Sequence, residues 1–110
     1  MKTITVKIQE GNRKVSGKVR LYESGKLIGF ANYLIKGEYL KLLEINIEKE
    51  FRLKGYGRFL VDVICAIAKK LKRNKIQLLS LKDSLPFWRQ VGFEVMQNEC
   101  GMYYMERELE

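Results

Sequence analysis

Arg52-Leu53-Lys54-Gly55-Tyr56-Gly57 stands between an aliphatic, alternating stretch that ends at Ile47 and a run with helical spacing, Tyr56, Leu60, Val63, Ile64, Ile67 and Leu71. The change of period across this short segment predicts a strand, a tight turn and a long amphipathic helix. Two glycines let the backbone pass close to a bulky anion. The first N–H groups of the helix and the positive end of its dipole face the same point, which makes the turn a candidate phosphate cradle. The Gly-x-Gly spacing is weak alone, because with 9 Gly in 110 residues about 0.7 such pairs arise by chance. Its weight comes from the strand-to-helix setting.

Upstream of the turn, Ile4, Val6 and Ile8 alternate with polar residues, Gly11-Asn12 breaks the run, and Val15, Val19 and Leu21 resume it. That pattern reads as a hairpin. Ser24-Gly25 and Lys36-Gly37-Glu38 mark two more turns, which delimit strands over 27–35 and 39–47. Downstream, Asn74 is the expected C-cap of the long helix, and residues 76–81 form a short strand. A second helix is expected over 83–91, with Asp83 as N-cap and Pro86 in the first turn, where a missing N–H is tolerated. Gly92 ends it, and residues 93–96 and 102–105 close the chain as a hairpin around a turn at 98–101. The order is ββββαβαββ, an α/β (α+β) domain with a mostly antiparallel sheet. A strand–helix–strand crossover of this length makes strands four and five parallel, with a right-handed turn. Where the pairing pattern changes, strand ends splay and leave a cleft, and the glycine turn opens at that cleft.

Residues 1–110 read as one domain, long enough to bury a core and too short for a second. The longest apolar stretch, 59–68, is interrupted by Asp62 and followed by Lys69 and Lys70, so it is not a membrane span. The first nine residues alternate, unlike a secretory leader. Cys65 and Cys100 give neither a disulfide framework nor a metal-ligand spacing, and a cytoplasmic protein is the expectation. The net charge is +8, and Glu94, Glu99, Glu106, Glu108 and Glu110 oppose only Arg107 in the last segment. The positive excess therefore lies before residue 94 and favours anionic ligands: nucleic acid, a phosphorylated cofactor or an acidic partner.

The segment 42–93 resembles the GNAT superfamily of acyl-CoA-dependent N-acyltransferases. The strand end Ile45-Asn46-Ile47, the approach Glu48-Lys49-Glu50-Phe51, the Arg52 to Gly57 turn and Phe87-Trp88-Arg89-Gln90-Val91-Gly92-Phe93 follow that family's order and spacing. The resemblance implies that acetyl-CoA is the cosubstrate. Its pyrophosphate would lie on the backbone N–H groups of Leu53, Lys54, Gly55, Tyr56, Gly57 and Arg58, with charge added by Arg52 and Lys54. The pantetheine arm would pair like an extra strand with Ile45, Asn46 and Ile47. A backbone N–H near Ile47 would hold the thioester carbonyl. Two features depart from the family. Trp88 occupies the usual position of a tyrosine that returns a proton to the departing thiolate, so its implied role is to position the sulfur. The pair of helices that usually follows the first strand and walls the acceptor site is missing, which suits a large acceptor such as a protein or peptide amine, or a site completed by a second subunit.

With no histidine in the chain, a general base is a carboxylate, tyrosine, thiol or water. On the fourth strand Leu43, Ile45 and Ile47 are expected beneath the long helix, with Leu42, Glu44 and Asn46 on the other face; Glu44 is the candidate base. A solvated strand glutamate paired with a lysine is the plainer reading of the same residue. Tyr103 and Tyr104 read as core and surface residues of the last hairpin. The expected reaction is direct acetyl transfer to an amine. Its rivals are a CoA-binding module without catalysis and a nucleic-acid-binding protein. Because the apolar strands outnumber the helices available to cover both faces of a sheet, a homodimer is expected.

Overall fold

The computed structural model describes residues 3–109, so the expected domain extends beyond the described residues by Met1, Lys2 and Glu110. One sheet of seven strands runs in the order β1-β2-β3-β4-β5-β7-β6. The strands are β1 (Ile4–Glu10), β2 (Ser16–Glu23), β3 (Lys26–Lys36), β4 (Tyr39–Ile47), β5 (Lys75–Leu81), β6 (Glu94–Glu99) and β7 (Met102–Glu108). Helix α1 (Tyr56–Lys70) joins β4 to β5, and α2 (Leu85–Gln90) joins β5 to β6. Only β4 and β5 pair in parallel. The order ββββαβαββ and the parallel junction are those the sequence predicts.

Strand alternation turns Val19, Leu21, Ala31, Tyr33, Leu40, Leu42, Ile76, Leu78 and Met105 to one face, where they meet Leu60, Val61, Ile64, Cys65 and Ala68 of α1 and Leu85 and Trp88 of α2 in a single core. Leu21, Leu40, Leu60, Ile64 and Ile76 have no exposed surface, and burying each contributes about 1.5–3 kcal/mol. Both helices cover this face. Arg107, opposite Ile76 in the ladder, reaches the end of α2 and donates to the Val91 carbonyl at 2.9 Å. The other face is open. Two of its cross-strand rows are Lys7, Arg20, Phe30, Asn46 and Gln9, Lys18, Asn32, Glu44.

Five local expectations are corrected. The buried stripe of α1 is rotated toward Val61, Cys65 and Ala68, leaving Tyr56, Val63 and Ile67 only half-buried, because small side chains sit where a helix approaches a sheet most closely. Leu43 is not beneath the helix. A bulge against β3, where Asn32 faces Glu44 but Tyr33 faces Leu42, leaves Leu43 unpaired and 54% exposed, and restores Ile45 and Ile47 to the core side. Helix α1 ends before Asn74: Lys72 takes a left-handed φ of 59°, with Lys72 N–H on the Lys69 carbonyl and Arg73 N–H on the Ala68 carbonyl. Ser84, not Asp83, occupies the N-cap position of α2, and Asp83 lies in the preceding 3₁₀ turn. The last hairpin turns on Cys100 and Gly101 alone, both at positive φ, so β6 and β7 are longer than predicted.

Candidate functional site

Strands β4 and β5 are paired only at Tyr39 with Lys75, Leu40 with Ile76 and Lys41 with Gln77. Beyond those pairs β4 continues on β3 and β5 continues on β7, so the two diverge into a wedge. Its β4 wall carries backbone groups that no neighbouring strand takes up. Glu48 N–H donates to the Ile28 carbonyl, so by alternation Ile47 and Ile45 direct their amides into the wedge. There the Ile47 carbonyl accepts a hydrogen bond of 2.8 Å from Arg52 Nε.

The wedge has two mouths. One, of about 370 Å³, is lined by Ile45, Asn46, Ile47, Arg52, Gly57, Ser84 and Phe87. The other, of about 210 Å³, lies among Leu42, Leu43, Glu44, Ile45, residues 78–81, Ser84 and Trp88. Outside the first mouth, a cavity of about 390 Å³ runs over the start of α1, past Phe51, Arg52, Leu53, Gly55, Tyr56, Gly57 and Arg58, to Phe87 and Gln90.

That helix start leaves its first N–H groups uncapped. Leu53 and Gly55 adopt left-handed φ values of 62° and 87°, which fold the chain tightly back into α1. The N–H groups of Tyr56, Gly57 and Arg58 open the helix without intrahelical partners. No side chain caps them, and the first turn holds no acidic residue. Gly57 also admits a neighbour, since a Cβ there would lie 3.3 Å from the Phe87 ring and 3.9 Å from Ile47 Cγ1. Tyr56 donates its hydroxyl to Glu23 on β2 at 2.9 Å; that bond, then burial, raises its pKa. Lys54 Nζ stands 5.8 Å from the Phe51 ring centroid.

On the open face a groove of about 750 Å³ is lined by Glu10, Lys18, Arg20, Asn32, Tyr33 and Glu44, among others. Glu44 borders both this groove and the second mouth of the wedge. Its Oε1 accepts 3.1 Å from Asn32 Nδ2, not from a lysine. Arg20 is held by Gln9 at 2.9 Å. Lys7 and Lys18 lie 5.2 and 4.8 Å from the ring centroids of Tyr22 and Phe30. The tyrosines nearby are poor bases: burial first, then the Glu10 charge, raises Tyr33, and burial followed by Glu106 raises Tyr104. Burial also raises the Cys65 thiol, which lies in the core face of α1. Among the described residues, no group of His, Cys, Asp and Glu side chains is placed to hold a metal ion.

The fold thus gathers Ile45, Asn46, Ile47, Arg52, Leu53, Gly55, Tyr56, Gly57 and Arg58 around two adjoining cavities, while Lys54 stands beside them. Trp88 borders the second mouth but is only 7% exposed, packed edge-on against Phe87 and Phe93 at 4.9 and 5.3 Å between centroids. Sequence reasoning missed Lys18, Arg20 and Asn32, whose proximity to Glu44 depends on strand register, and Ser84, which lines both mouths. A serine immediately before a proline-bearing helix was the one local signal for Ser84.

The family model for the acetyltransferase (GNAT) family matches residues 6–93. Glucosamine 6-phosphate N-acetyltransferase of Trypanosoma brucei brucei is 22% identical over 86 residues, 72% of this chain and 58% of that protein. Among solved structures, PaiA N-acetyltransferase from Thermoplasma acidophilum in complex with coenzyme A superposes with a TM-score of 0.79 at 22% identity, over 83% of this chain and 59% of that one. A GNAT family acetyltransferase from Elizabethkingia anophelis with acetyl-CoA bound gives 0.83 at 14% identity, over 96% and 98%. The chain thus spans under two thirds of the trypanosomal and Thermoplasma proteins and nearly all of the last.

Proposed function

This chain belongs to the acetyltransferase (GNAT) family, and from that premise we propose that it binds acetyl-CoA through the wedge and transfers the acetyl group to a primary amine. The observation that carries the reading is that the cavities of the wedge adjoin, the two mouths sharing Ile45 and Ser84 and the first mouth sharing Ile47, Arg52, Gly57 and Phe87 with the cavity over α1. One mouth opens on the uncapped start of α1, which suits a pyrophosphate, and the other opens beside Glu44 on the open face, where an amine can enter. Pantetheine amides pair with the Ile45 and Ile47 backbone, and Arg52 and Arg58 add positive charge near the phosphates. The amine nitrogen attacks the thioester carbon, and the inward-facing Ile45 N–H, which borders both mouths, stabilises the resulting oxyanion. Glu44, directly or through a water, takes the amine proton, and collapse of the intermediate breaks the C–S bond with both electrons going to sulfur. Trp88 fixes the wall against which the sulfur rests.

The groove suits an acceptor that carries an anionic group as well as its amine. Glu44 favours the ammonium form, while Lys18 and Arg20 on β2, one strand beyond Asn32, favour a phosphate or carboxylate. The trypanosomal relative is named for an acceptor of this composition. A homodimer belongs to the same reading, because α1 does not reach β1 and leaves Ile4, Val6 and Ile8 exposed on the helix-bearing side. Sedimentation at a mass near 12.9 kDa at high micromolar concentration overturns that part. Acetyl-CoA turnover with matched amines, glucosamine against glucosamine 6-phosphate and ethanolamine against phosphoethanolamine, tests the rest. Faster turnover of the phosphorylated member supports it; CoA binding with no turnover of any amine returns the protein to a non-catalytic CoA-binding module. A second reading, nucleic-acid binding on the open face, is favoured by the Lys7–Tyr22 and Lys18–Phe30 pairs. Salt-sensitive RNA or DNA affinity that acetyl-CoA does not alter supports it.

A further inference from the structure

Transfer leaves a thiolate inside the wedge, and the steps above assign nothing to receive its charge. Among the described residues only Ile45, on β4, and Ser84, between β5 and α2, line both mouths, so each of the two elements that bound the wedge contributes one residue where the openings adjoin. Ile45 belongs to the wall that pairs with the pantetheine arm. Ser84 is the residue outside that wall which borders both openings, and it carries a hydroxyl. Its hydroxyl is exposed and makes no capping bond to α2. The other candidates are committed elsewhere. Ser80 is buried and donates to the Leu81 carbonyl at 2.8 Å. Arg52 is tied through Nε to the Ile47 carbonyl at the first mouth only. Trp88 is wedged between Phe87 and Phe93, and Cys65, Tyr33 and Tyr104 line neither mouth.

We propose that the Ser84 hydroxyl donates a hydrogen bond to the CoA sulfur as the C–S bond breaks, a role that rests on the acetyl-transfer reading. The carbonyl carbon gains its bond to nitrogen, sulfur leaves with the electron pair of the C–S bond, and Ser84 keeps its proton while its O–H dipole holds the thiolate. A serine hydroxyl is far too weak an acid to give the proton away. The thiolate takes one from water on release, and the amine proton passes through Glu44 to solvent. Hydrogen bonds to ionised groups are about twice as strong as neutral ones, so the effect concentrates where the charge develops.

The test needs no acceptor. The thiol of bound CoA is titrated by the ultraviolet absorbance of its thiolate in the wild type and in Ser84→Ala. The variant should hold about tenfold less thiolate at a given pH, as loss of one hydrogen bond to a charged group predicts, while binding CoA equally well at low pH, where the thiol is neutral. Ser84→Thr and Ser84→Val, equal in shape but differing in the hydroxyl, form a second pair: threonine should titrate like the wild type and valine like alanine. Superimposable titrations across all four proteins, with CoA bound in each, overturn the proposal. A wild type that does not bind CoA overturns the acetyl-transfer reading first, and this inference with it.

Discussion

The proposed cofactor side and the proposed acceptor side of the wedge are built in opposite ways. The cofactor side is assembled from one unbroken stretch, in which Ile45 to Arg58 supply a strand end, two left-handed residues and an uncapped helix start. The acceptor side draws on β1, β2, β3 and β4, and its residues meet only because the ladders hold Gln9, Lys18, Asn32 and Glu44 in one row. A site made by local chain geometry fails through its backbone, whereas a site made by register is carried by side chains that can be replaced singly. That contrast sets the size of the effects expected from mutation.

The largest effect is expected at Gly57. Valine there brings a branched side chain onto the Phe87 ring and Ile47, narrowing the first mouth, the proposed path of the pantetheine. CoA binding by calorimetry should be lost while circular dichroism stays native. A folded Gly57→Val protein that binds CoA as the wild type does would remove the cradle from the mechanism. Next comes Glu44→Gln on the acceptor side. Acetyl transfer should fall by about 10²-fold with acetyl-CoA affinity unchanged. A rate unaltered from about pH 6 to 9 would instead mean that the amine arrives already deprotonated.

Arg52→Ala sharpens the comparison, because Arg52 serves the cofactor side through both charge and its bond to the Ile47 carbonyl. Its loss should weaken CoA binding by about 1.5–3 kcal/mol. A smaller loss would mean that the guanidinium serves the strand end more than the phosphates.

The same contrast explains what could be read in advance. Period changes and turn residues disclose the seven strands, the two α-helices and the glycine turn between β4 and α1, because those signals are local. The bulge at Leu43 left no such mark: an exposed leucine within an apolar strand looks like core until its partner strand is known. The helix stripe failed for a related reason, since Cys65 and Ala68 carry little hydrophobic signal yet are buried in the core. Lys18 and Arg20 were invisible as acceptor-site residues because a lysine or arginine alternating along a strand has the same sequence signature wherever the row leads.

Tyr56 provides the mildest test, because it is the one cradle residue that reaches into the other half of the molecule, through its hydroxyl bond to Glu23 on β2. The bond, burial and the Glu23 charge all favour the protonated phenol, so Tyr56 keeps its proton to higher pH folded than unfolded. Its contribution to stability is therefore complete below the ordinary tyrosine pKa of 10.0 and is lost as pH rises through the higher folded value. Tyr56→Phe should melt slightly lower than the wild type at neutral pH, and its melting temperature should fall less steeply above about pH 10. The slope that remains belongs to Tyr33 and Tyr104, whose pKa values are raised in the same direction. CoA affinity should scarcely change, because the cradle uses the backbone of Tyr56 and not its ring. Equal alkaline slopes in the two proteins would show that the Glu23 contact does not couple the halves, and a marked loss of CoA affinity would show that β2 helps to set the cradle's geometry.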